Sequence, residues 1–518
     1  MILLLKKATL MTRIARSLVS SVSLLALTVP AFAQTALPQA DDSYFLSAQE
    51  QLAAREAIQP NTGKAKNVIM FIVDGLSIPT ITAARIHEGQ LAGVDGESHS
   101  LAFETLLPHT ALVKTYTHDS QVADSAPTAT AITSGIKSLN GTIGVDQTAV
   151  LEDCSTQAGA TTMSIFEQAE EAGLATGIIS TARITHATPA AAYAHTVGRD
   201  WEADTNLPED AVGKCADIAS QLVDWSFGDG FEVVFGGGRA NFMLDSQKDP
   251  EDETRTGARK ERDLIADWQA EYNDGEYVWN KEGFDALTAD TSHVLGLFNG
   301  SHMQYEADRE SDAGGEPSIA EMTTKAIEIL EKNEDGFVLM VEGGRVDHAH
   351  HAGNAARALT DAIAVSEAMK AAYEAVDPEE TLILLTADHS HVFSISGYPT
   401  RNNPILGIAG TGDDGLPYTT LGYLNGPGAK TLEEGADVST MSGEDVRAAL
   451  QRADLTDVDT TDIDYLQQAL IPLGSESHAG DDVAVFAQGP QAYLFDGVIE
   501  QNLIYHVMAK ALELNAAK

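Results

Sequence analysis

Positive charge is what this sequence has least of. Its 518 residues include 32 Lys and Arg against 77 Asp and Glu, a formal net charge of −45 at neutral pH. A surface that negative repels other polyanions, which excludes nucleic acids and anionic membranes as partners. The excess reads as adaptation to a salty (halophilic) medium, where ions screen the self-repulsion of the folded chain. Long apolar runs are also missing. A spanning helix needs about 20 consecutive apolar residues, and nothing beyond residue 33 approaches that. Cysteine is nearly absent. Neither Cys154 nor Cys215 begins the C-x-P-x-R pattern that a sulfatase modifies into its nucleophile.

The N-terminus carries an export signal. Lys6, Lys7, Arg13 and Arg16 precede an apolar run over 18–29, and Ala31-Phe32-Ala33 gives the small-residue pattern of a cleavage site. No acidic residue occurs before Asp41, and Met11 is an alternative start. The reading is a signal peptide over 1–33 and a periplasmic or secreted product without a membrane span. Removing the four basic residues of that segment takes the charge from −45 to near −49. In an oxidising compartment an even pair of cysteines allows a disulfide, two buried free thiols being the alternative. Apolar residues make up 43% of the chain, enough for a large core. The length suits one large α/β domain with insertions, or two to three average domains.

Short apolar, β-branched runs at 67–73, 176–180, 232–235, 336–341, 381–387 and 483–487 end in Gly or acidic residues. Helical patterns at 164–172, 320–332 and 355–376 lie between them. Continuous apolar strands alternating with helices predict an α/β fold with a large, mainly parallel central sheet covered by helices on both faces. Two regions break the pattern. Residues 247–277 are highly charged and read as a solvated surface excursion, and 392–477, rich in Gly, Pro, Asp and Thr, reads as an insertion outside the sheet.

In open α/β sheets, ligands gather at the carboxyl ends of strands. Three predicted strands end in an acid: NVIMFIVDG in Asp74, GFVLMVEGG in Glu342 and TLILLTADHSH in Asp388, followed at once by His389. One such acid is often only a helix cap; three, one of them joined to His, point to a shared metal site. Asp347-His348-Ala349-His350-His351 places Asp347 and His351 four apart, on one face of a helix, a spacing that suits a divalent metal such as zinc. His478, in ESHAGDD, completes an Asp/His/His set. Ser125, in DSAPTA, falls at a predicted helix N-terminus, where free N–H groups and the dipole favour an anion. A serine there is a cap unless a base or metal activates it. Arg199 is a candidate oxyanion clamp, and His186 and Thr188 in TARITHATPA are further polar candidates.

At these residues the chain resembles the alkaline phosphatases. The segments VADSAPTATAITSGIK, THATPAAAYAHTVGRDW, VEGGRVDHAHHAG, LLTADHSH and ESHAGDDVAVFAQGP carry the resemblance, and their HxHH cluster and long insertion resemble the animal-like and marine-bacterial branch. The resemblance implies a phosphatase domain over 34–518 that hydrolyses phosphate monoesters through a phosphoserine at Ser125. It implies two Zn2+ and one Mg2+. One zinc falls to Asp347, His351 and His478, the other to Asp74, Asp388 and His389, and the magnesium to Asp74, Thr188 and Glu342. Arg199 then binds the phosphoryl oxygens, and His186 and His348 stand just outside the ligands. A homodimer with 392–477 as a crown-like cap at its interface is also implied, as is a Cys154–Cys215 disulfide. Two departures stand out. Pro127 replaces a glycine common in the family, and Asn299 stands where an acidic calcium ligand is usual, so no calcium site is carried over.

Two other functions share some of these features. A phosphodiesterase or nucleotide pyrophosphatase has the two-metal cage but lacks the third metal set and the Arg clamp. A non-enzymatic metal or phosphate binder has no use for a helix-terminal serine beside the metals. The charge itself makes a prediction. Screening tightens from ~10 Å at 0.1 M salt to ~3 Å at 1 M, so melting temperature should rise between low and molar salt, and a flat or falling curve would refute the halophilic reading.

Overall fold

The computed structural model describes residues 37–430 and 438–514. The expected signal peptide, 1–33, lies outside the described residues. The chain divides into two units, 1–59 and 60–518. In the first, the helix Ser43–Ala57 starts at Asp42, whose carboxylate accepts from the backbone N–H groups of Tyr44 and Phe45.

The second unit is built on a ten-stranded sheet. Its first eight strands in chain order are β1 (Asn67–Ile72), β2 (His109–Lys114), β3 (Ala175–Arg183), β4 (Val233–Gly237), β5 (Glu276–Val278), β6 (Val294–Leu297), β7 (Phe337–Glu342) and β8 (Thr381–Thr386). Seven short strands follow: β9 (Ser390–His391), β10 (Phe393–Ile395), β11 (Ile408–Thr411), β12 (Pro417–Thr419), β13 (Leu421–Gly426), β14 (Ala469–Pro472) and β15 (His478–Ala479). Then β16 (Val483–Gln488) and β17 (Gly497–Glu500) return to the large sheet, whose order is β17-β2-β16-β8-β1-β7-β3-β4-β6-β5. All its pairings are parallel except those of β16, which runs antiparallel to both β2 and β8.

The central strands β1, β7 and β8 are buried at every position, which is why they read as unbroken apolar runs rather than alternating ones. Helices pack on them by their apolar stripes. The helix Ile319–Leu330 opens with a capping box: Ser318 Oγ accepts from Glu321 N–H, and Glu321 accepts from Ser318 N–H. Its buried Met322, Ala326 and Leu330 recur at helical spacing, and it packs against the 21-residue helix Ala355–Ala375. Strands β2, β6 and β17 escape the sequence pattern because they are four to six residues long and either partly exposed or, like β6, interrupted by Gly.

The charged segment 247–277 is not uniformly solvated, contrary to expectation. Asp249 pairs with buried Arg239 at 2.7 Å, and Arg259 is buried against Asp217 at 2.6 Å. Leu264 and Trp268 are also buried, and the segment ends in β5 at the sheet edge. Its charges are consumed in part by internal pairs, which a count of charged residues does not reveal. Strands β10, β13 and β14 form one small sheet and β11 with β12 another, neither joined to the large one. The pair β9–β15, with His391 opposite His478, ties the two ends of the segment 392–477 together. Among the described residues no helix is long and apolar enough to cross a membrane.

Cys154 and Cys215 form a disulfide. It lies against a small second core of Val145, Ala149, Ala160, Val197, Trp201 and Ala211, which underlies the loop carrying Arg199. The bond closes a loop of 61 residues, which contributes about 4 kcal/mol in the chain-entropy model. Reduction should therefore lower the melting temperature. Two freely alkylated thiols in the native protein would contradict the bond.

Candidate active site

Parallel strands that stop level with one another put their terminal acids in one place. Ile72 at the end of β1 lies opposite Glu342 of β7 and Thr386 of β8. Glu342 is the last residue of its strand, while Asp74 and Asp388 each follow theirs by two residues. All three are fully buried. Gly75 makes the turn after Asp74 in a left-handed conformation and donates its N–H to Asp388 Oδ1 at 3.0 Å.

The short helix Arg345–His351 follows β7 and adds Asp347 and His351 from one face, with His351 Nε2 3.3 Å from Asp347 Oδ1. His478 of β15 brings its Nε2 to 3.3 Å from Asp347 Oδ1 and 3.0 Å from His351 Nε2. The opposite ring nitrogens decide what this means. His351 Nδ1 lies 2.5 Å from the Glu476 carbonyl, and His478 Nδ1 lies 2.8 Å from the Ala123 carbonyl. A carbonyl only accepts, so each Nδ1 carries the proton and each Nε2 presents a lone pair. Two lone pairs and a carboxylate oxygen converging at about 3 Å repel one another unless a cation lies among them.

A neighbouring set joins one imidazole to two carboxylates. His389 Nε2 is 3.3 Å from both Asp74 Oδ1 and Asp388 Oδ2, and 3.1 Å from Ser125 Oγ. Ser125 is the first residue of the helix Ser125–Ser134, capped by Asp124, whose Oδ1 accepts from Ala126 N–H at 2.8 Å. A third set lies beside it. Among the described residues, Asp74 Oδ1, Thr188 Oγ1 and Glu342 Oε1 have no hydrogen-bond partner and are buried, while Ser180 donates to the other Glu342 oxygen. Asp74, His186 and Glu342 each bring one atom within 4.8 Å of the others.

The electrostatics agree with the donor geometry. Burial, reinforced by Asp347, Asp388 and Glu342, pushes the Asp74 carboxyl well above its ordinary range. Burial likewise lifts Glu342 to about 8 and raises Asp388. Burial also opposes the charge of Asp347, but the hydrogen bond from His391 and that ring's charge outweigh it and hold that carboxyl well below its usual value. His389 is pushed far down by burial, so its ring is neutral and free to donate a lone pair. Neutral imidazoles and crowded, desolvated carboxylates are a donor set that a divalent cation would relieve.

Arg199 reaches the mouth of the cluster, its Nη1 held by Asp124 Oδ1 at 3.1 Å and its Nη2 3.4 Å from His186 Nε2. His186 and His348 stand with ring centroids 5.4 Å apart on the side of the third set. His302 joins them, 4.1 Å from His348, from a segment with no sequence cue to chemistry. Two further residues escape sequence reasoning. His391 bridges Asp347 and Glu476, at 2.8 and 2.6 Å, and both it and Glu476 lie inside segments whose neighbours were recognised, LLTADHSH and ESHAGDD. Spacing of two from His389 and from His478 was the available signal.

A helix-terminal serine, an arginine beside it and a buried carboxylate–imidazole cluster define a hydrolase that works on phosphoryl groups. Comparison with known proteins gives the family. The Alkaline phosphatase family profile matches residues 65–514. The tissue-nonspecific alkaline phosphatase isozyme of Gallus gallus is 42% identical over 484 residues, 91% of this chain and 89% of that protein. An alkaline phosphatase of Gadus morhua is 43% identical over 461 residues, 87% of this chain and 92% of its own. The Thermus thermophilus alkaline phosphatase crystal structure has a similar fold, with TM-score 0.61 at 24% identity, covering 88% of this chain and 93% of that one. The chain belongs to the alkaline phosphatase family and is a phosphate monoester hydrolase.

Gly75 offers a test of how tightly the cluster is packed. A Cβ there would strike the His391 ring, on a backbone with φ of +72°. Gly75→Ala should lower stability by about 1–3 kcal/mol from backbone strain alone, read by thermal or denaturant unfolding. A variant as stable as the parent would show that the turn can relax.

Proposed function

We infer that the protein is an exported alkaline phosphatase working through a phosphoserine at Ser125. The observation that carries this reading is the convergence of buried imidazoles and carboxylates, His389 and Asp74 reaching Ser125 Oγ itself. Asp347, His351 and His478 would hold one zinc ion, Asp74, Asp388 and His389 a second, and Asp74, Thr188 and Glu342 a magnesium ion. Bound there, the three ions supply positive charge and Lewis acidity to the attacking, leaving and non-bridging oxygens of the phosphoryl group.

The chain's own groups do the rest. The first turn of the helix Ser125–Ser134 fixes the Ser125 hydroxyl and turns backbone N–H groups and the positive dipole end toward an anion. Ser125 Oγ gives up its proton to solvent and forms a bond to phosphorus as the ester P–O bond breaks, and the departing alkoxide takes a proton from water. Water then attacks the phosphoserine from the vacated side, the Ser125 P–O bond breaks, a proton from the attacking water returns to Ser125 Oγ, and phosphate leaves. Arg199, pre-oriented by Asp124, presents paired donors to two non-bridging oxygens throughout. A diester replaces one of those oxygens with a bulky group, so the clamp favours monoesters. His186 and His348 shape the third set and the release of phosphate. The domain spans 34–518 after export, the segment 392–477 caps a homodimer interface, and the acidic surface fits a salty medium.

One experiment separates this from a diesterase or a mere binder. Turnover of paired monoester and diester chromogenic substrates is measured for the parent, Ser125→Ala and Arg199→Ala, before and after exhaustive chelation. Chelation and Ser125→Ala should each abolish monoester turnover. Charge-assisted hydrogen bonds contribute about 1.5–3 kcal/mol each, so Arg199→Ala should lower monoester kcat/KM about ten-fold or more, with metal content unchanged and diester turnover little affected. Unaltered monoester efficiency in the fully metallated Arg199 variant would reject the clamp and favour a diesterase.

A further inference from the structure

Glu476 closes the segment that returns from the small sheets, two residues before His478, and is 1% exposed. Its groups reach three parts of the site. Its N–H donates to the His351 carbonyl at 2.9 Å, and its own carbonyl accepts from His351 Nδ1. Its Oε2 accepts a hydrogen bond from His391 Nδ1 at 2.6 Å, and its Oε1 accepts from Val392 N–H at 2.8 Å. His391, also buried, carries the contact onward to Asp347 Oδ1 at 2.8 Å. Gly75 presses against that ring from the other side.

A buried carboxylate needs a partner, and here it is the His391 ring, held between Glu476 and Asp347. What the carboxylate achieves is alignment: two acceptor oxygens fix the His391 ring between a backbone amide and Asp347.

We propose that Glu476 is a positioning residue for the Asp347, His351 and His478 set, orienting the His351 ring through its backbone carbonyl and the Asp347 carboxylate through His391. The proposal rests on reading those three residues as metal ligands. Partners that hold metal ligands from behind typically change metal affinity 10–100-fold when removed.

The test uses the full chain loaded with zinc, comparing the parent with Asp347→Asn, Glu476→Gln, Glu476→Ala, His391→Ala and the double variant Glu476→Ala/His391→Ala. Zinc release is followed against chelator concentration, and the visible spectrum is recorded after replacement by cobalt. Glu476→Ala should bind one zinc about 10–100-fold more weakly and shift the cobalt spectrum. Glu476→Gln, which offers one acceptor where two are needed, should fall between, and it carries the test if the alanine variant does not fold. The double variant should be no weaker than His391→Ala, because the carboxylate acts through that ring. Parent-like zinc retention and cobalt spectrum in both Glu476 variants, with the ion lost in Asp347→Asn, would overturn the proposal alone. Parent-like retention in Asp347→Asn would overturn the ligand reading and the proposal with it.

Discussion

Four carboxylates with almost no exposure to water meet beyond the carboxyl edge of one sheet: Asp74, Glu342, Asp347 and Asp388. Their mutual repulsion and desolvation are the constraint around which the surrounding structure is arranged. The chain answers it in two ways. The hydrogen bond from His391 stabilises the charge of Asp347. The other three are driven toward protonation by burial and by one another. Nothing in a core of this kind gains from such crowding, so the cluster is retained for what it attracts. Ser125 and Arg199, at its open side, inherit that environment rather than creating it.

The sheet makes the crowding possible. Parallel pairing with level ends is a backbone property, and it converts three residues far apart in sequence into neighbours without any side chain having to find another. The helix Arg345–His351 starts immediately after β7, so Asp347 and His351 arrive on a rigid turn of known direction. The other contributors come from loops that are themselves tied down. Arg199 sits above the small disulfide-linked core, and His478 is fixed by pairing with His391.

This explains which parts were legible in the sequence. An acid that ends an apolar run announces itself, as does a carboxylate four residues before a histidine. The parallel sheet followed from unbroken apolar strands. Legibility failed where a residue's role is set by a partner distant in sequence. Glu476 contacts His391, 85 positions away, and a spacing of two from a recognised histidine is the sole local mark of either. His302 meets His348 across 46 positions. The charges of 247–277 looked solvated because composition does not distinguish an exposed Arg from Arg259, buried against Asp217. Strands such as β6 and β17 are too short to impose a period.

The pairing of β9 with β15 brings residues 391 and 478 side by side, so the chain leaves the main body and returns to it at one place. The segment between is moored elsewhere as well. Gln90 bonds to Asn403 and Ile405, the Ile463 carbonyl accepts from Asn354 and Arg357, and Gln467 bonds to Gly353 and Ala355. The Tyr423 hydroxyl lies 2.8 Å from His350 Nδ1. Glu476 and His478, on the returning side, touch His351 and His391 directly. A change in the length or packing of this segment therefore reaches His351 by two routes, through Gly353 and His350 at the end of its helix and through Glu476 and His478 at the threshold.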